Sequence, residues 1–293
     1  MFHEKEIVYP VRERKNADFY NAEYYSGKNS NWDRPYTWGN FGGIFWEWFK
    51  FVLYTFPESK KFLDVGCGRG FFEKVFELGK SSTLVPITIH GFDHSEYAIA
   101  TAEPEAVQFI ECARLDTFAF RENYEVILAF DVFEHVSETQ AKNFLKRSRR
   151  HIDDCICAVI ALDEPRQRLE PSHCNLQDRE YWHRVFLECG WVQPKEYKIM
   201  QELAQKYEHV RNCKCEVFIY GAGTKTVAEK ISRALVYGFW RAKFFMIKTV
   251  TQSWQNVSQK FQHRLRSIKV SLLQFVPSTR KAQDVTTPSS SPS

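Results

Sequence analysis

The chain has 293 residues, 44% of them hydrophobic, which is enough for one sizeable folded domain with additions, and its eight cysteines are too sparse for a small disulfide scaffold. A formal net charge of +4 hides a division: residues 223–293 carry 12 basic and 2 acidic side chains, the remainder 28 and 34, so a mildly acidic body precedes a strongly basic tail. The opening MFHEKEIVYPVRERK has no apolar stretch behind a basic one and does not read as a signal peptide, so a cytoplasmic protein is expected.

In chain order, residues 1–58 form an aromatic N-terminal cap in which Tyr25, Tyr36 and Trp38 are the candidates for a lid over a ligand, and aromatic spacing predicts a helix over 41–56. The bland alternative is an aromatic flap packed on the sheet edge. Residues 59–222 alternate short β-like runs with helical patterns. Strands are predicted at 61–65, 86–92, 107–111, 126–130, 156–162, 191–197 and 213–220. Helices are predicted over 70–78, from an N-cap at Ser95, from Ser137 into the basic run 146–150, and over 178–189 before Gly190. That alternation predicts an α/β fold, a doubly wound, Rossmann-like, seven-stranded sheet. The pairs Cys155/Cys157 and Cys213/Cys215 fall in strand-like runs and read as buried thiols; with no CxxC pair and no metal-spaced histidine cluster, no metal centre is expected. Residues 223–276 predict a basic amphipathic helical tail, and 277–293, rich in Ser, Pro and Thr, a disordered end.

The sharpest motif is residues 62–70, FLDVGCGRG: an apolar strand running through Gly66, Gly68 and Gly70 into a helix. Closely spaced glycines let the backbone turn tightly and approach a ligand. Phe71 stands where a dinucleotide-binding G-x-G-x-x-G would want glycine, which counts against a nicotinamide or flavin. Asp93 then ends the second strand, where a carboxylate can accept hydrogen bonds from both hydroxyls of a ribose; the alternative is an Asp that only caps the next helix.

With these two segments, and with residues 124–136 (YEVILAFDVFEHV) and 171–176 (PSHCNL), the chain resembles the class I S-adenosylmethionine-dependent methyltransferases, and among them the subgroup of quinone-precursor and other small-molecule O-methyltransferases. The resemblance implies S-adenosylmethionine as cofactor. It places Gly66, Gly68 and Gly70 at its methionine part, Asp93 at the ribose and Phe130 in the pocket wall after the fourth strand, with Asp64, His94, Ala113 and Arg114 as further cofactor-binding positions. The family often has an Asp after strand three where Cys112, Ala113 and Arg114 stand here, so Asp116 or backbone groups would have to serve instead.

The sulfonium is already an excellent leaving group, so the protein has mainly to align nucleophile and methyl and remove one proton. His135 and His173, on loops at the carboxyl ends of strands, are the candidate catalytic bases, each with a structural role as its rival. Asp131 and Glu134 are further polar groups at that mouth, and with His135 could hold a divalent metal, a reading less favoured than none. The tail, with aromatics broken by Arg241, Lys243 and Lys248, fits a membrane surface best, packing on the body or a partner next, and nucleic acid last. The expected function is methyl transfer to a small-molecule or lipid-like acceptor at oxygen. Its rivals are a catalytically silent cofactor-binding or interaction module and an RNA methyltransferase, the latter without the Asn/Asp-Pro-Pro-aromatic run after strand four.

Overall fold

The computed structural model describes residues 15–30, 34–83, 85–205 and 215–223. The basic tail and Cys213, Trp32 and the first fourteen residues lie outside them. In chain order the elements are α1 (Ala22–Tyr25), α2 (Trp38–Thr55), β1 (Lys61–Val65), α3 (Phe71–Gly79), β2 (Thr88–Asp93), α4 (Glu96–Ala100), β3 (Ile110–Cys112), β4 (Tyr124–Phe130), α5 (Glu138–Ser148), β5 (Ile152–Ala161), α6 (Arg179–Glu188), α7 (Lys195–Ala204) and β6 (Cys215–Gly221).

The described strands form one six-stranded sheet in the order β3-β2-β1-β4-β5-β6. β1 to β5 pair in parallel, and β6 runs antiparallel to β5. The chain leaves β1 in one direction through β2 to β3 and then returns to β4 on the other side. The carboxyl ends of β1 and β4 therefore flank the switch point where open α/β sheets bind ligands.

Strand side chains alternate between two cores, as a period of two demands. Val126, Leu128, Cys155, Cys157 and Val159 face one core with Phe49 and Val52 of α2, Phe72 and Phe76 of α3, and Met200 of α7. Ile127, Ala129, Ile156, Ala158 and Ile160 face the other, with Phe144 of α5 and Trp182 and Phe186 of α6. A sheet covered on both faces explains why β4 and β5 read as unbroken apolar runs. Cys155, Cys157 and Cys215 are buried thiols, as expected.

Side-chain caps fix helix starts, Asn21 on α1 among them. Ser95 accepts from Ala98 N at 3.0 Å, Asp178 accepts from Tyr181 N at 2.6 Å, and Ser137 and Gln140 close a reciprocal capping box on α5. Gly190, with φ +86°, ends the turn after α6.

The predicted strand over 191–197 does not form. Val192 makes a single bridge to Gly221, and from Lys195 the chain is helical. Pro194 has no N–H to donate to a ladder, and the following KEYKIMQELA buries Tyr197, Met200 and Ala204 at helical spacing against the sheet. The seventh strand is thus replaced by α7 among the described residues. Smaller departures are the start of β3 at Ile110, after a 3-10 turn over Val107–Phe109, and the start of β5 at Ile152. α2 begins at Trp38, so that residue belongs to a helix rather than to a lid. No helix among the described residues is long and apolar enough to cross a membrane.

Candidate functional site

β1 ends in a turn whose three glycines all have positive φ: +76° at Gly66, +54° at Gly68 and +74° at Gly70. At Gly70 the requirement is doubled, because a Cβ would also lie 2.4 Å from Ala106 Cβ. Asp93, the last residue of β2, reaches back to this turn: its carboxylate accepts from Gly68 N at 3.0 Å and from Ser95 N at 2.8 Å. So the acid is no mere helix cap. It ties the glycine turn to β2 while retaining lone pairs for a ligand.

Beyond Asp93 lies a cavity of about 440 Å³, lined by His94, Glu96, Cys112, Ala113, Arg114 and Thr117 and by Lys15 to Ala17 of the N-terminal segment. The carboxyl ends of β2 and β3 thus bring His94, Ala113 and Arg114 to one opening beside Asp93. Asp116 pairs with Arg114 of that opening, accepting both its Nε at 3.0 Å and its Nη2 at 2.9 Å.

The glycine turn is covered. Tyr20, Tyr24 and Tyr25 are buried together with Ala98, and Tyr36 packs on them. A Cβ at Gly68 would stand 3.8 Å from Tyr25 Oη and 3.9 Å from Tyr36 Oη. Tyr36 stacks on Phe71 at 4.7 Å, its N–H donates to Tyr25 O at 2.8 Å, and Arg69 clasps the cover by donating to Tyr36 O at 2.9 Å and Thr101 O at 2.8 Å. Ser95 Oγ donates to Tyr20 O at 2.6 Å, pinning the other end. Tyr25 and Tyr36, two of the three lid candidates, therefore sit against the glycine turn, joined by Tyr20 and Tyr24, while the third, Trp38, lies against Phe71 and under Lys74. Arg69 was hidden in sequence because its partners are carbonyls on two other segments.

Beneath the turn lie two buried acids. Burial raises the Asp64 carboxyl to about 8, with nearby Asp93 adding to the shift, and it holds Glu73 well above the ordinary carboxylate range. The two interact directly, and Glu73 fills the space beside Gly91, where a Cβ would be 2.1 Å from Glu73 Oε1. Glu73 could have been suspected as the acid in an otherwise apolar helix start, FFEKVF.

Phe130 is expected in the cofactor wall. Its ring packs on Trp48 at 4.7 Å and Phe72 at 5.2 Å, on the α2–α3 face. The residue after it, Asp131, has φ +56° and accepts from Cys215 Sγ at 3.6 Å.

On the opposite side of the tyrosine cover, the loops after β4 and β5 are fastened together. Glu134 O accepts from Cys174 N at 2.9 Å and Asn175 N at 3.0 Å, and Asn175 Nδ2 donates to Phe133 O at 3.3 Å. This brings the two predicted histidines into contact, with ring centroids of His135 and His173 4.6 Å apart. Tyr20 joins this corner to the end of β2: its hydroxyl is 3.4 Å from His135 Nδ1 and its ring 4.8 Å from that of His94. Burial, with His173 alongside, holds His135 well below its ordinary pKa, so its ring is neutral at pH 7.

The residues present fit S-adenosylmethionine: a turn of glycines that side chains would obstruct, a carboxylate at the end of β2 and a cavity beyond it at the end of β3. A comparison with curated proteins finds no match. Among solved structures, the chain is similar to magnesium protoporphyrin IX methyltransferase from Synechocystis PCC 6803 with bound S-adenosylhomocysteine, at 15% identity and a TM-score of 0.39, covering 51% of this chain and 73% of that one. It is also similar to an S-adenosylmethionine-dependent methyltransferase from Archaeoglobus fulgidus, at 11% identity and a TM-score of 0.46, covering 63% and 94%. A family model described as a methyltransferase domain matches residues 44–193, just over half of the chain and the stretch that holds the glycine turn, Asp93 and both histidines. The chain therefore belongs to the methyltransferase-domain family and is an S-adenosylmethionine-dependent methyltransferase.

Proposed function

We propose that the protein methylates a hydroxyl oxygen of a small-molecule or lipid-like acceptor. The observation that carries this reading is the pair of imidazoles at the ends of β4 and β5, 4.6 Å apart and joined through Tyr20 to the ribose end of the cofactor site. Bound S-adenosylmethionine supplies an electrophilic methyl group on a sulfur that leaves as a neutral thioether. In this reading Asp64, Gly66, Gly68 and Gly70 hold its amino-acid part, Asp93 and His94 its ribose, and Ala113 and Arg114 its base.

A neutral His135 accepts a hydrogen bond from an acceptor hydroxyl and takes its proton as the carbon–oxygen bond forms, with His173 stacked against it. The tyrosine cover holds the two reactants in line and keeps water from the methyl group. The basic tail is proposed to bring this site to an anionic membrane surface, which suits a lipid-like acceptor.

The test is transfer from methyl-labelled S-adenosylmethionine to a panel of phenols, catechols, primary amines and RNA. Label in the hydroxylated compounds is expected. Label in RNA or amines alone would overturn the acceptor class, and cofactor binding with no transfer to any of them would support the silent module. Deleting residues 224–293 is expected to abolish sedimentation with anionic liposomes; unchanged sedimentation would contradict a tail anchor.

A further inference from the structure

Glu134, His135 and His173 each place one ligand atom so that the three lie within 4.8 Å of one another. The carboxylate is the informative member. Glu134 is fully buried, and its Oε1 accepts from Ala161 N at 2.9 Å, whereas Oε2 is buried and has no hydrogen-bond partner among the described residues. A carboxylate held in this way either stays protonated or finds a cation, because an unpaired buried anion is too costly to retain.

The histidines around it are arranged as metal ligands commonly are. His173 Nδ1 lies 2.9 Å from Gln167 O. A carbonyl only accepts, so Nδ1 carries the proton and Nε2 keeps the ring's lone pair; a backbone carbonyl on the far nitrogen is the usual device for orienting a ligating imidazole. His135 is met at Nδ1 by Tyr20 Oη at a long 3.4 Å, and its ring also hydrogen-bonds the backbone of Ser172. The backbone clasp of Cys174 and Asn175 on Glu134 O holds the two loops in register, so the site rests on fixed main chain.

We propose that Glu134, His135 and His173 form a binding site for one divalent transition-metal cation at the acceptor end of the active site. Two imidazoles and one carboxylate suit first-row ions such as zinc, iron, manganese or cobalt rather than magnesium or calcium, which prefer oxygen donors. Bonds of about 2.0–2.2 Å to a shared ion require the three side chains to draw in by roughly an ångström, within reach of small rotamer changes. Three protein ligands leave positions for water or an acceptor oxygen, the pattern of catalytic rather than structural sites. With an ion bound, His135 would be a ligand in place of the proton acceptor proposed above: the ion would lower the pKa of an acceptor oxygen bound to it, and that oxygen's proton would pass to solvent. This rests on the oxygen-methylation reading only for its consequence; the ion site itself stands on the geometry.

The experiment uses the full chain, freed of metal by a chelator and titrated with Co²⁺, with binding followed by visible absorption and by thermal melting; no acceptor or cofactor is added, so failure of the proposed acceptor class does not affect it. One equivalent should bind, raise the melting temperature, and show ligand-field bands without the intense sulfur-to-cobalt bands that cysteine ligation gives. Glu134→Gln keeps the bond to Ala161 N and removes only the charge. It should weaken Co²⁺ binding more than about tenfold while leaving the melting temperature of the metal-free protein unchanged or higher. His135→Gln should weaken binding likewise. Absence of stoichiometric binding to the wild-type protein, strong sulfur-to-cobalt bands, or affinity unchanged in both variants would overturn the site.

Discussion

The glycine turn draws its functional atoms from one short stretch, Asp64 to Gly70, plus a single acid at the end of β2, whereas the histidine corner is assembled from the loops after β4 and β5 and from Tyr20 near the start of the described chain. The first half is a backbone device: positive-φ glycines and two amide-to-carboxylate bonds at 3.0 and 2.8 Å. The second is a side-chain device whose geometry depends on two loops clasped through Glu134 O. Substitutions should therefore separate cleanly, the first half governing cofactor affinity and stability, the second governing rate.

The largest effect is expected at the corner. His135→Ala should slow methyl transfer by about 10²–10⁴-fold, the range of a lost general base, with S-adenosylmethionine affinity unchanged in a binding titration. A matching loss of cofactor affinity would mean that the two halves are not separable. Next comes the turn itself. Gly70→Ala meets Ala106 Cβ at 2.4 Å with φ +74°, so it should cost roughly 1–3 kcal/mol in a denaturant melt. Gly43→Ala, in α2 with nothing within 4 Å of the added Cβ, should instead be neutral or stabilising. Equal destabilisation by both would contradict the packing described at the turn.

A smaller effect reports on the acids under the turn. Asp64 holds its proton to about pH 8 in the folded chain and releases it near 3.8 when unfolded, so the native state binds the extra proton across that window. Stability should then fall as pH rises from about 4 to about 8 and level off above. Asp64→Asn should flatten this slope; urea melts with the same pH dependence in both proteins would remove the assignment. The mildest change is Arg69→Ala, which releases Tyr36 O and Thr101 O. It should cost about 1 kcal/mol and speed amide exchange at Tyr36, whose N–H is bonded under the cover, while exchange in β4 stays slow.

What could be read in the sequence follows the same division. The glycine turn, Asp93 and the first five strands are contiguous patterns, and each appears within a few residues of its expected place because period and turn chemistry are local. The run 191–197, WVQPKEY, misled because Trp191 and Val192 open like a strand, whereas Pro194 breaks the ladder and the chain is helical from Lys195. Phe130 was assigned by its position at a strand end, yet the aromatic density of α2 and α3 draws its ring to Trp48 and Phe72. The histidines were legible as candidates but not as neighbours, since backbone amides of Cys174 and Asn175, which carry no sequence signature, bring them together.

The central claim is that S-adenosylmethionine binds through the glycine turn and Asp93. Its most direct test is calorimetric titration of S-adenosylmethionine into the wild-type protein and into Asp93→Ala. One equivalent should bind the wild type, and the variant should bind more weakly by roughly 1–3 kcal/mol, the scale of lost buried hydrogen bonds. Equal affinity in the two proteins, or no binding to the wild type, would contradict it.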